Sequence, residues 1–207
     1  MRKEAIAVTS FLVAGLVGCN GPLRTGDAPP PAPAVVATEN RELVARRSAL
    51  EPGDAVPEFV LEGQFGRPVS AGELSLGKGG VLLFLPGLDS PAWRPAFAWA
   101  ERNRTLLRQQ GLELLLVSPQ TVEANRALSD RRELRVALLS DPASWTARAF
   151  GIVSSGARHP ASPWAFVLGG DGRIQFGERG LPDAADLIMA AERGPGGGTS
   201  LFEEVFQ

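Results

Sequence analysis

The chain has 207 residues, 21% of them charged and 44% hydrophobic, with a formal net charge of −2. That is enough for one ordinary domain with a real core plus additional segments, and the lack of a basic excess excludes nucleic acid as an expected partner. A single cysteine, Cys19, and a single histidine, His159, exclude an intramolecular disulfide and a cysteine-rich zinc cage; no metal and no cofactor is expected.

Arg2 and Lys3 precede an apolar run from Ala5 to Val17. The run is shorter than the roughly 20 residues of a membrane-spanning helix and fits the h-region of a secretory signal peptide, 1–18. Leu16-Val17-Gly18-Cys19 resembles the bacterial lipobox, although Glu4 is unusual in the n-region and the plain alternative is a signal peptide with a chance cysteine. The resemblance implies that Cys19 becomes the acylated N-terminus and tethers the protein to a membrane through lipid. It also implies a cell-envelope address, with the outer membrane or cell surface favoured over the inner membrane because Asn20, not aspartate, follows the cysteine. Residues 19–50 then form a linker, extended by Ala28-Pro-Pro-Pro-Ala-Pro-Ala-Val35.

From residue 51 to 193 the pattern is that of a folded domain. Phe59-Val-Leu61 is a short strand, and Gly80–Leu85 is a continuous apolar run, the mark of a strand covered on both faces. Ser90-Pro91 is expected to open a helix that Gly111 closes. Leu112–Val117 is a second buried strand, Thr121 caps a helix to Arg131, and Val136–Leu139 is a third strand. Asp141-Pro142 is expected to open a helix to Phe150. Trp164–Leu168 is a fourth strand, Gly169-Gly-Asp-Gly172 a hairpin turn into Arg173–Phe176, and Pro182-Asp183 starts a last helix to Arg193. This alternation predicts an α/β fold: a central, mainly parallel sheet with an antiparallel C-terminal hairpin and helices on both faces. A glycine-rich flexible tail, 194–207, follows.

Several short motifs now fall in order. Gly53-x-x-x-Pro57-x-Phe59-x-Leu61, Gly66-x-x-Val69-Ser70, Leu83-Phe-Leu-Pro86, Leu139-x-Asp141-Pro142, Phe150-Gly151 and Phe166-Val-Leu-x-x-Asp171-Gly172-x-Ile174 resemble the peroxiredoxin and thioredoxin-like family, in particular its alkyl hydroperoxide reductase/thiol-specific antioxidant branch. The resemblance implies a thioredoxin-like fold over about residues 51–193. It also implies a peroxidatic cysteine at the start of the first long helix, whose thiolate is held by the helix N-terminus and an arginine. Pro86 and Ser90 match that motif, but the cysteine position is Trp93 and the arginine position is Pro163. Pro163 matches instead the cis-proline of thioredoxins, whose Cys-x-x-Cys is here Ser90-Pro-Ala-Trp93. Cys19 offers no substitute if acylated, because a thioether has no thiolate.

Other candidates have plain explanations. His159 lies in a polar loop, where a lone histidine is most simply solvated, and Ser154-Ser-Gly156 lacks the strand–helix context of a nucleophile elbow. Trp93, Trp99 and Trp164 all fall near the edge where relatives bind substrate, as core packing or as an aromatic recognition surface. The leading expectation is therefore a membrane-anchored redoxin-like lipoprotein that binds an envelope protein or a small ligand at the former active-site edge, without catalytic residues. A working thiol oxidoreductase, with chemistry from a cofactor or a partner's thiol, and a passive envelope scaffold are the alternatives.

Overall fold

The computed structural model describes residues 48–75 and 79–194; the expected signal peptide, Cys19, most of the linker and nearly all of the tail lie outside these residues. Segments without polar alternation become the middle of the sheet, since only there are both faces covered. β1 (Val60–Gly63) alternates exposed and buried residues, whereas β3 (Gly80–Phe84) is buried throughout and β4 (Glu113–Ser118) is buried after its first residue. With β2 (Pro68–Ser70), β5 (Ala137–Ser140), β6 (Trp164–Leu168) and β7 (Ile174–Arg179) they form one sheet in the order β2-β1-β5-β4-β3-β6-β7.

The parallel part of the sheet is its centre. β3 pairs with β4 (Leu82 opposite Leu115) and β4 with β5 (Val117 opposite Leu139). The antiparallel part is wider than a terminal hairpin: β6 runs antiparallel to both β3 and β7, and β1 antiparallel to both β2 and β5. An apolar run reports burial on two faces but carries no information on strand direction.

Helices α1 (Ala71–Ser75), α2 (Trp93–Gln109), α3 (Val122–Arg132), α4 (Trp145–Ala149) and α5 (Ala184–Arg193) complete the domain. Side chains alternate along each strand, so the core divides in two. Leu83, Leu116 and Leu138 join residues of α2, α3 and α5 on one face. Leu82, Leu115 and Leu139 join residues of α1 and α4, with Phe84, Phe150 and Phe166, on the other. Leu50, assigned to the linker by composition, belongs to this second cluster and donates its N–H to Phe150 O at 3.1 Å. The packed structure therefore reaches back to it.

Two helices begin later than their sequence suggests. α2 starts at Trp93: Ser90 N–H donates to Gly87 O at 2.9 Å, and the Ser90 hydroxyl accepts from Ala92 N at 3.3 Å. Ser90 thus closes a tight turn, and the residue at the cap, Ala92, makes no side-chain cap hydrogen bond. α4 starts at Trp145, because Ser144 adopts a left-handed conformation (φ 53°). Asp141 reaches across that turn and accepts from Ala147 N at 3.0 Å. Thr121 and Asp183 do cap α3 and α5, accepting from Ala124 N and Ala185 N.

Candidate functional site

In sheets of this kind ligands bind beyond the carboxyl ends of the parallel strands. There β3 continues into Leu85, whose N–H donates to Val117 O at 2.8 Å, and then into buried Pro86 and Gly87. The turn at 87–90 follows, and Trp93 opens α2.

Trp93 is only 7% exposed. Its ring lies 4.3 Å, centroid to centroid, from that of Phe97 one turn on, and it belongs to the α2 side of the core. The indole therefore packs inward. Its Nε1–H is buried without a hydrogen-bond partner among the described residues, an unusual state for a buried donor.

The three tryptophans expected at one edge are not brought together. Trp99 is buried beside α5, with Nε1 donating to Pro182 O at 2.9 Å; it fastens α2 to the start of α5. Trp164 alternates with Ala165 and so lies on the opposite face of the sheet, stacked on Phe166 at 5.9 Å and 12°. A continuous Trp93–Trp99–Trp164 surface is thus excluded by strand periodicity. Pro163 is buried at the entry to β6, and its carbonyl accepts from Gly180 N at 2.8 Å. Its peptide bond is trans, so the likeness to the thioredoxin cis-proline stops at residue type.

His159, expected from its polar surroundings in sequence to be solvated, is brought to this edge instead. A Cβ on Gly87 would lie 2.7 Å from its Nε2 and 2.5 Å from Asp89 Oδ1, so the imidazole lies over the glycine and half-buried. Its Nδ1 donates to Pro160 O at 3.2 Å; since a carbonyl only accepts, this places the proton on Nδ1 and leaves Nε2 as acceptor in the neutral ring. No local signal marks this contact. Nearby Asp141, just past the end of β5, is buried, and desolvation raises its pKa more than the backbone N–H groups of Ala147, Thr146 and Trp145 and the charge of Arg148 lower it.

Beside Trp93 the surface opens into a cleft of about 690 Å³ between the 88–94 segment and the end of α3, lined among others by Asp89, Ser90, Arg94, Arg131 and Arg132. Among the described residues no group of three or more His, Cys, Asp or Glu could hold a metal, and no helix is long and apolar enough to cross a membrane.

This fold, with a strand, a buried proline and a long helix at the carboxyl edge of a mixed sheet, defines a thioredoxin-like domain. The AhpC/TSA family model matches residues 52–176, and the chain belongs to that family. Similar proteins include a chloroplastic peroxiredoxin Q of Sedum lineare, 26% identical over 60% of this chain and 66% of its own length. The chain thus spans just under two thirds of that relative. Among solved structures, the peroxidoxin BcpB of Mycobacterium tuberculosis matches with a TM-score of 0.60 at 22% identity, covering 69% of this chain and 97% of its own. A candidate thiol:disulfide interchange protein DsbE from Chlorobium tepidum gives 0.54 at 21% identity, covering 69% and 99%. These likenesses support a peroxiredoxin/thioredoxin-like domain.

Proposed function

We propose that this protein is a membrane-anchored, degenerate member of its family that binds a ligand or envelope partner at the former active-site edge and performs no thiol chemistry. The observation that carries the reading is Trp93: a buried indole occupies the position where the family pattern requires a thiolate, next to an open cleft. The family-matched residues contain no cysteine, and Pro163 replaces the arginine that would hold a thiolate. Removal of residues 1–18 and acylation of Cys19 would hold the domain at the cell envelope, on the outer membrane or cell surface, with the 19–50 segment as spacer.

Family membership itself favours the second reading, an oxidoreductase whose reactive group comes from a cofactor or a partner's thiol. Two measurements separate the readings. Hydroperoxide and disulfide turnover by the full chain should stay at the buffer rate. Immobilised full chain should retain an envelope component that the variant Leu88→Glu/Arg94→Glu, altered only at exposed positions, does not retain while its circular dichroism is unchanged. Equal retention by both would place the binding away from this edge, and retention by neither would support a passive scaffold instead.

A further inference from the structure

We infer that residues 201–206, which follow the described part of the chain, dock back onto the domain in a groove at the sheet edge opposite Trp93, where β4 and β5 begin. The inference is independent of the binding reading.

The two faces of the sheet are unequally covered. On the face of Leu83, Leu116 and Leu138 lie α2, α3 and α5, of 17, 11 and 10 residues. Among the described residues the other face has α1 and α4, of 5 residues each. Its cover runs out at the start of β4 and β5 and leaves a groove of about 540 Å³ between the β1–β2 turn, α1 and the residues before β5. Val69, Leu74, Leu115 and Leu139 give the groove an apolar floor, and Phe65 stands on its rim, 67% exposed. That is the size of a cavity that receives a ligand, whereas packed cores leave few voids larger than a water molecule.

The occupant follows from where the described chain stops. Arg179, the last residue of β7, lies opposite Trp164, and Trp164 lies opposite Phe84, the last residue of β3. β7 thus ends at the Trp93 edge. There Trp99 holds Pro182 at the start of α5, and α5 packs along β6 and β7. Its 10 residues carry the chain about 15 Å back toward the edge that holds the groove. From β7 to β4 is three strand intervals, about 14 Å. The six residues Pro195-Gly-Gly-Gly-Thr-Ser200 can span about 20 Å.

Leu201-Phe-Glu-Glu-Val-Phe206 comes next. Leu201, Phe202, Val205 and Phe206 have the spacing of one helix face, and Ser200-x-x-Glu203 repeats the capping-box pattern that opens α1 at Ser70. So short a helix is unstable alone in water and needs an apolar surface to lie on; the groove supplies one. Docking covers Phe65 and brings Glu203 and Glu204 to Arg67 and Arg135 on the rim. Of the groove's own carboxylates, Glu73 Oε2 already accepts from Ser70 N, which leaves Glu113. The short tether keeps the segment at a high local concentration, an advantage over a second copy or a free peptide.

The test is disulfide trapping in the full chain carrying Cys19→Ser, in which no native thiol remains. Val205→Cys is paired in turn with Phe65→Cys and with Glu113→Cys, both exposed residues of the groove. The control pair uses Val60→Cys, 61% exposed and on the opposite sheet face by strand alternation from Leu61. Rates are normalised to the reaction of each single cysteine with a small disulfide. The disulfide within one chain should form at least about tenfold faster in both groove pairs than in the control, because docking raises the local thiol concentration. Phe202→Asp/Phe206→Asp should abolish that preference. Equal rates in groove and control pairs, or a preference that survives the aspartates, overturn the inference. Disulfides that form between chains overturn it too, by giving the groove to a second copy.

Discussion

His159 and Gly87 form a matched pair: the imidazole lies so close over the glycine that a Cβ there would stand 2.7 Å from both Nε2 and Cε1. Only a residue without a side chain admits this approach. Gly87→Ala should therefore destabilise the domain by about 1–3 kcal/mol, as overpacking does. Part of that loss should disappear in the Gly87→Ala/His159→Ala double variant, the remainder coming from Asp89 Oδ1, which would stand 2.5 Å from the same Cβ. Urea denaturation of the four members of the cycle measures the coupling; additive losses would mean that the two residues do not touch.

Trp93 is a core residue of α2. Trp93→Ala should cost about 3–5 kcal/mol, the range of large aromatic truncations. Trp93→Phe should cost less, since it keeps a ring against Phe97 and deletes an N–H that has no partner among the described residues. Denaturant midpoints check both. A stable Trp93→Ala variant would place the indole outside the core.

Asp141 supplies a pH dependence. Because burial raises its folded pKa above the unfolded value, the native state keeps the proton to higher pH than the unfolded chain does. Stability from this group is present at low pH and is lost as pH rises from the ordinary aspartate range through the raised folded value. Asp141→Asn keeps an oxygen for Ala147 N–H and removes the titration. The wild type should lose stability relative to Asp141→Asn across that window, as followed by denaturation at a series of pH values. A difference that is constant with pH would show the shift to be absent.

At the N-terminus, intact-mass analysis of the membrane fraction should show loss of residues 1–18 and the added mass of acyl chains on Cys19. A mature soluble chain whose Cys19 reacts with alkylating reagent would contradict lipid anchoring.

Much of the fold is legible because its signals are local. The apolar runs of β3 and β4, Thr121 and Asp183 as caps, and the Gly169–Gly172 turn each act within a few residues. α1 has a local signal too, one that hydrophobic alternation alone passes over. Ser70 and Glu73 form a reciprocal capping box, with Ser70 Oγ accepting from Glu73 N at 3.2 Å and Glu73 Oε2 from Ser70 N at 3.1 Å, the pattern Ser-x-x-Glu. Strand periodicity likewise puts Trp164 and Ala165 on opposite faces of β6, which is what separates Trp164 from Trp93. The direction of β6 and the approach of His159 to Gly87 are different in kind: both arise from contacts between distant segments, and no local spacing encodes them. The same holds for the cleft, whose arginines come from two helices and look in sequence like ordinary wet faces.

The edge at Trp93, on the reading proposed above, no longer performs thiol chemistry. Hydroperoxide consumption by the full chain, measured with a thiol reductant beside Cys19→Ser and beside unfolded protein, tests this most directly. The predicted result is the buffer rate in all three samples. Turnover that persists in Cys19→Ser and disappears on unfolding would contradict it.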